Sequence, residues 1–284
     1  MTLTSPIDPV RGIPATPARG VASAVLSGSA LFWWFAAIAG QWAFLCYIAM
    51  LYGVSTLTGN FQVWTKNHLL AKGYVPGDTA GNLAFGAHAL MAGVIAFGGT
   101  VQLIPWIRRR AIALHRWNGR LFIVTALGVS VTGLYMIWIR QASPSFVNSL
   151  GISLDAALII LFAGLAWRSV RARDIDSHRR WALRTFMVAN GQWFFRAGVF
   201  AWIVINRGPA GMGKHFDGPF IVFWVFGCYL VPLAMLEMYL RAQQSRSDRF
   251  RLVTAGSLIA LTIVMSVGIA AVAMFMWRPV LARL

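Results

Sequence analysis

Residues 252–277, "LVTAGSLIALTIVMSVGIAAVAMFMW", decide the fold class because they contain no charged side chain. A run of this length exceeds the ~20 residues that an α-helix needs to cross the ~30 Å hydrocarbon core of a bilayer. Lipid cannot hydrogen-bond the open edges of a strand, so a helix is the structure expected here. The stretch therefore predicts a membrane-spanning helix.

Six further apolar runs precede this one, so we predict seven spans. They lie near 30–53, 82–106, 119–139, 149–167, 183–205, 219–240 and 252–277. The composition agrees, because 58% of the 284 residues are hydrophobic and 12% are charged, about half the charged share of a soluble domain. The predicted fold class is all-α, a polytopic transmembrane helical bundle that occupies residues 30–284.

Residues 1–29 differ from the rest of the chain, since they contain four prolines among Thr, Ser and Gly. We expect a disordered N-terminal tail there. The apolar run that follows is too long for the core of a signal peptide, so it is expected to remain as the first span.

The net charge of +17 is distributed between the spans in an alternating pattern. The second, fourth and sixth connections hold fifteen arginines within 106–120, 168–184 and 241–251. The other three connections hold five basic residues: Lys66, Lys72, Arg140, Arg207 and Lys214. The positive-inside rule therefore predicts a cytoplasmic N-terminus. No basic stretch carries the stacking aromatics of a nucleic-acid reader, so nucleic acid is not an expected partner.

One motif occurs twice, each time at the basic entrance to a span. It reads "LHRWNGRLF" at 114–122 and "SHRRWALRTF" at 177–186. Arginine and tryptophan both favour the membrane interface, so a two-helix internal repeat would duplicate a membrane anchor. The histidines are not explained in this way, and they suggest a shared site near the cytoplasmic face. The candidate residues are His115, His178, Arg116, Arg120, Trp117, Trp181 and Arg184.

Two kinds of function suit such a site. Neutral imidazoles ligate haem, so His115 and His178 could hold haem b in a membrane electron carrier if they face each other within about 12–14 Å. A quinone is an alternative ligand at the same place. The other function is binding or transport of a small molecule or lipid. The sequence does not decide which cofactor the protein binds, and no metal site is expected.

Three ionisable residues lie inside predicted spans, where such residues are costly and often functional. They are His88, Asp155 and Arg196, which we place in the outer half of the bilayer. An unpaired buried charge is unfavourable, so we expect Asp155 to pair directly with Arg196, with His88 nearby. This layer is either a structural ion pair that locks two helices or the polar floor of an outward-opening pocket to which Asn190 and Gln192 contribute. Glu237 lies near the basic side of span six and is expected to be a counter-ion.

The sequence does not decide whether the protein is an enzyme. It has no zinc-binding HExxH helix, no GxSxG elbow and no Walker loop. Cys46 and Cys228 both fall inside predicted spans, which argues against a disulfide framework.

The stretch from about His88 to Glu237 resembles a bacterial family of predicted multi-pass membrane proteins of unknown function. The family is marked by an early histidine, HRW-x-GR and HRRW-x-x-R. The matching residues are His88, His115, Arg116, Trp117, Gly119, Arg120, His178, Arg179, Arg180, Trp181 and Arg184. Ala182 stands where the family usually has methionine. The resemblance implies a bacterial inner-membrane location, a helical membrane architecture and an important motif, but no particular reaction.

Overall fold

The computed structural model describes residues 20–66 and 73–282. Within these ranges the secondary structure is helical and contains no strand, which confirms the all-α prediction. The helices are α1 (Val21–Ile48), α2 (Val54–Thr58), α3 (Thr79–Gln102), α4 (Pro105–Arg110), α5 (Ile112–Trp138), α6 (Phe146–Arg171), α7 (Ile175–Ala189), α8 (Gly191–Ile205), α9 (Pro219–Gln244), α10 (Asp248–Val272) and α11 (Arg278–Leu281).

Six helical segments of the described chain are long and apolar enough to cross a membrane. They are Val21–Thr58, Thr79–Gln102, Ile112–Trp138, Phe146–Arg171, Pro219–Gln244 and Asp248–Leu281. The first and last are continuous because π-helical turns at Ala49–Gly53 and Ala273–Trp277 join their parts. The predicted count of about seven is therefore close.

The fifth predicted span differs from the other six, because it consists of the two helices α7 and α8, each of 15 residues. We call these two helices together the fifth segment. The interruption falls at Asn190, whose side chain donates a hydrogen bond to the Phe186 carbonyl oxygen at 2.8 Å. Asparagine and glycine are both poor helix formers, and they occur here in succession as Asn190 and Gly191. The prediction of a single helix over 183–205 was wrong for this local reason.

The first helix begins earlier than the sequence suggested. Residues 1–19 of the predicted tail lie outside the described residues, but residues 21–29 belong to α1. All four prolines of the tail precede residue 18, and the Ala-, Val- and Leu-containing stretch after them has no helix-breaking proline. The expectation of disorder was therefore wrong for residues 21–29.

The spanning segments form a closed bundle. Helix α1 packs against α3, α3 against α5, and α5 against α6. The circuit continues from α6 to α7 and α9, from α8 to α10, and from α10 back to α1. Short connections make successive segments antiparallel, so residues 103–111, 172–174 and 245–247 share one end. We call it the basic end and the other the opposite end.

An ion pair that the sequence analysis missed closes the opposite end. The Arg140 side chain is only 4% exposed and donates to Asp78 Oδ2 at 2.8 Å. It also donates to Asn82 Oδ1 at 2.9 Å and to the Gly73 carbonyl oxygen at 3.1 Å. Arg140 thus joins the end of α5 to the start of α3. The sequence contained a signal, since a basic residue directly follows one span and an acidic residue directly precedes another.

Candidate functional site

Both copies of the doubled motif form the same local contact. The Arg120 guanidinium lies 4.9 Å from the ring centroid of Trp117, and that of Arg184 lies 4.6 Å from the ring of Trp181. In each copy the arginine follows the tryptophan by three residues, and side chains with this spacing share one face of a helix. The repeated Trp-x-x-Arg pattern therefore encodes a cation–π pair.

The first copy of the motif faces the outside of the bundle. Trp117 is 68% exposed, and Arg116 and Arg120 are exposed as well. Two polar contacts attach this part of α5 to α3. Gln102 donates to the His115 carbonyl oxygen at 2.8 Å, and Asn118 donates to the Gly98 carbonyl oxygen at 2.8 Å. The outward face has the composition of a membrane-interface anchor.

The second copy packs inside the bundle instead. The Trp181 ring contacts the Phe162 ring, with centroids 5.5 Å apart. Arg184 donates two hydrogen bonds to the Glu237 carboxylate, at 2.6 and 2.9 Å. The prediction that Glu237 is a counter-ion near the basic end is confirmed, and Arg184 is its partner. The two copies are therefore alike in local structure and different in environment.

The two histidines of the motif have different partners. His178 Nδ1 donates to the Ala166 carbonyl oxygen at 2.9 Å, which leaves Nε2 as the second ring nitrogen. His115 Nδ1 is buried and has no hydrogen-bond partner among the described residues. The two imidazoles lie within electrostatic range of each other. Neither of them lines either of the two cavities described below.

The three ionisable residues from the spans line one cavity of about 230 Å³. We call it the central cavity. Its walls come from α1, α3, α5, α6 and the fifth segment, and Asn190 and Gln192 also line it. His88 and Asp155 each lie nine residues from the first residue of their helix, and Arg196 lies nine residues from the end of α8. At 1.5 Å per residue, each is about 14 Å from the opposite end. All three thus lie at a similar level, in the half of the bundle nearer the opposite end.

The predicted pair between Asp155 and Arg196 does not form. Arg196 Nη1 donates to the Gln192 carbonyl oxygen at 2.6 Å, and its guanidinium lies 5.6 Å from the Phe44 ring centroid. Asp155 Oδ1 is buried and has no hydrogen-bond partner in the described chain. The prediction of a direct pair was wrong.

The interruption of the fifth segment explains where the Asp155 carboxyl group lies instead. A Cβ atom at Gly191 would lie 2.7 Å from Asp155 Oδ2, so the absent side chain leaves room for the carboxyl group. The carboxyl group consequently lies against the first residue of α8. The N-terminus of a helix carries partial positive charge and favours such a group.

His88 is oriented by a short hydrogen-bond chain across α3 and α5. Its Nδ1 lies 3.0 Å from Thr132 Oγ1, and Thr132 donates its hydroxyl hydrogen to the Gly128 carbonyl oxygen at 2.7 Å. The Thr132 hydroxyl thus links the His88 ring to the backbone of α5. The sequence analysis did not identify Thr132, because threonine is common within membrane helices and does not stand out.

Aromatic rings and both π-helical turns border the central cavity. Phe44, Tyr47 and Tyr52 line it, and Tyr52 belongs to the first π-helical turn. Trp277, from the second π-helical turn, stacks on Phe44 and Tyr47 with centroids 5.6 and 5.9 Å apart. Such turns occur frequently at functional sites. The cavity thus combines an imidazole, a carboxyl group and a guanidinium with apolar walls, which suits an amphipathic ligand.

The remaining histidines lie outside this arrangement. His215 is exposed in the connection between α8 and α9, and His68 falls outside the described residues. Cys46 is exposed on α1 and Cys228 is buried in α9, and neither forms a disulfide. Among the described residues no group of three or more His, Cys, Asp or Glu could hold a metal ion.

Comparison with known proteins identifies a family. No curated protein and no solved structure matches the chain. A family model described as predicted membrane protein (DUF2306) matches residues 85–240, a range that includes both copies of the doubled motif and His88, Asp155 and Arg196. The match covers more than half of the chain and agrees with the helical membrane architecture, and the protein therefore belongs to the DUF2306 family of predicted membrane proteins.

Proposed function

We propose that the protein binds a small amphipathic molecule in the central cavity, as the binding step of a carrier function in the membrane. The observation that carries this proposal is that His88, Asp155 and Arg196 line one cavity. Polar residues at such depth are expensive in lipid and mark binding sites or ion pathways. A headgroup that accepts a hydrogen bond from Arg196 and donates one to His88 or Asp155 would complete the site.

The size of the cavity limits the ligand. Its volume of about 230 Å³ is below the roughly 300–1,000 Å³ of pockets that hold drug-sized molecules. A single-ring headgroup or a molecule of similar size fits this volume. Quinone headgroups, small carboxylic acids and small amines are therefore the ligand classes to test.

The interrupted fifth segment favours a carrier over a purely structural protein. Carriers commonly place their binding sites at mid-depth beside discontinuous helices. Here Asn190 and Gly191 separate two helices directly beside the Asp155 carboxyl group. A structural role would favour a direct ion pair between Asp155 and Arg196, and that pair is missing among the described salt bridges.

The geometry favours the central cavity over the doubled motif as a ligand site. A haem or quinone at His115 and His178 would draw on Trp117, Arg120, Trp181 and Arg184. Trp117 and Arg120 lie on the outer face of the bundle. Trp181 is covered by Phe162, and Arg184 is already paired with Glu237. Few groups of the motif are left to hold a cofactor.

Ligand-induced thermal stabilisation in detergent tests the proposal. We expect short-chain benzoquinones, small carboxylic acids or small amines to raise the melting temperature, since a ligand at 100 times its Kd stabilises by about 2.7 kcal/mol. The substitutions Asp155→Asn and Arg196→Gln, which remove the charge and keep a polar amide, should each remove most of this shift. Asp176→Asn, at an exposed position of α7, is the matched control and should retain it. Absence of a shift with all three classes, or a shift that both cavity variants keep, would refute the proposal.

We also propose that the basic end faces the cytoplasm of a bacterial cell, with the N-terminus inside. Fifteen arginines within 106–120, 168–184 and 241–251, in the three connections of that end and the helical turns beside them, support this orientation. Reporter domains fused after residues 112, 174 and 246 should be cytoplasmic, and fusions after 145 and 212 should be external. One fusion on the other side would contradict the orientation.

A further inference from the structure

A second cavity, of about 280 Å³, lies between α1, the fifth segment, α9 and α10. It shares no lining residue with the central cavity, because the fifth segment separates the two. Met187 and Ala197 of that segment line the second cavity, and Asn190 and Arg196 line the central one. Apart from Arg179 and Tyr239, the second cavity is lined by apolar residues and tryptophans. A mostly apolar occupant fits such walls.

The two polar residues lie together towards the basic end. Arg179 is near the start of α7, and Tyr239 is near the end of α9 within electrostatic range of it. The salt bridges of residues 20–66 and 73–282 do not include Arg179, and Glu237 is held by Arg184. Gln243 Nε2 donates to Tyr239 Oη at 3.1 Å, so the phenol hydrogen can serve another acceptor. A guanidinium and a phenol hydroxyl together suit an anionic group.

The cavity is elongated along the helix axes. On α9 its lining extends from Trp224 to Tyr239, and on the fifth segment it extends from Arg179 to Gly198. Fifteen residues of α9 correspond to about 22 Å at the helical rise of 1.5 Å per residue. Half of a ~30 Å hydrocarbon core is ~15 Å. The cavity is therefore long enough for an acyl chain that enters from the basic end and passes the midplane.

We propose that the second cavity binds one acyl chain whose carboxylate or phosphate headgroup is held by Arg179 and Tyr239. The apolar walls cover the chain, and the two polar residues recognise the charge. Free fatty acids and anionic phospholipids share this chemistry. The proposal is independent of the ligand in the central cavity.

Photo-crosslinking of the full chain in detergent tests the proposal, with a diazirine-bearing palmitate as the probe. Mass spectrometry should find adducts at buried lining residues such as Leu236 and Leu258, and not mainly at Val124 and Val131, which are exposed on α5. Either unlabelled palmitate or lysophosphatidylglycerol should reduce the yield of adducts at these residues, which would support the site. The stronger competitor of the two shows whether the bound lipid is a fatty acid or a phospholipid. Palmitate methyl ester, which has no charge, should compete weakly. Equal competition by the ester, or adducts spread over α5, would overturn the proposal.

Two matched arginine variants add a readout that depends on charge. Arg179→Gln should lower crosslinking by about tenfold or more, as expected when a charge-assisted hydrogen bond is lost. Arg180→Gln is the control, because the Arg180 side chain donates to Ser177 Oγ at 3.0 Å and does not line the cavity. It should leave crosslinking unchanged. Arg179 is exposed, so its substitution should not affect folding. Equal crosslinking in both variants would exclude Arg179 as the headgroup partner.

Discussion

Arg140→Ala is expected to lower the free energy of unfolding by about 3 kcal/mol. The substitution removes a buried guanidinium and leaves its hydrogen-bond acceptors without their donor. The substitution would remove the hydrogen bonds to Asp78, Asn82 and the Gly73 carbonyl oxygen together. The connection that precedes α3 would also lose its attachment to the end of α5. Unfolding in mixed detergent micelles measures the change, and limited proteolysis between α2 and α3 should become faster.

The control for Arg140 is an exposed ion pair in the same protein. Arg251 and Asp248 lie three residues apart on α10, and the Asp248 side chain is 68% exposed. Exposed pairs of this kind contribute about 0–1 kcal/mol, so Arg251→Ala should have almost no effect. Arg140→Lys should fall between the two, because it keeps the charge but loses the planar fork that reaches several acceptors. Equal losses for Arg140→Ala and Arg251→Ala would contradict the assigned role.

Two glycine-to-alanine substitutions in α10 are expected to have opposite effects on stability. A Cβ atom at Gly268 would overlap the Ala197 carbonyl oxygen of α8, and backbone cannot move aside as a flexible side chain can. We expect Gly268→Ala to destabilise by about 1–3 kcal/mol, as is usual when a packed core receives extra atoms. Because Arg196 precedes Ala197, movement of α8 should also weaken ligand binding in the central cavity.

Gly256 is the matched control on the same helix, since no atom lies within 4 Å of a Cβ placed there. In an open helical position alanine is favoured over glycine by about 1 kcal/mol, so Gly256→Ala should be neutral or stabilising. Thermal unfolding of both variants in the same detergent gives the comparison. A stabilised Gly268→Ala variant would show that α8 and α10 do not pack as closely as described.

The sequence was sufficient to predict features that depend on neighbouring residues in the chain. Uninterrupted apolar runs identified six of the spanning segments, because a helix is the structure that satisfies its own hydrogen bonds in lipid. The spacing of tryptophan and arginine in both motif copies was a further signal that the sequence analysis did not use, because residues three apart share a helix face and both cation–π pairs form. The Glu237 counter-ion was also predictable, since a carboxylate near an arginine-rich end has many potential partners.

The contacts of the buried polar side chains could not be predicted from the sequence. Asp155 and Arg196 lie at similar depth, and depth alone suggested a pair. The interruption at Asn190 instead leaves the Asp155 carboxyl group beside Gly191 and Arg196 beside Phe44. Side-chain direction at mid-depth depends on how neighbouring helices are rotated. That rotation follows from packing between segments distant in the chain.

By itself the sequence determined the helical class, the number of spanning segments to within one, and the end at which the positive charge collects. The tertiary structure alone decided that the first motif copy faces outward and the second inward, and that His88, Asp155 and Arg196 share a cavity. The physical reason is that lipid tails are as apolar as leucine. A membrane helix is therefore apolar on all sides, and its sequence does not reveal which side meets the bundle.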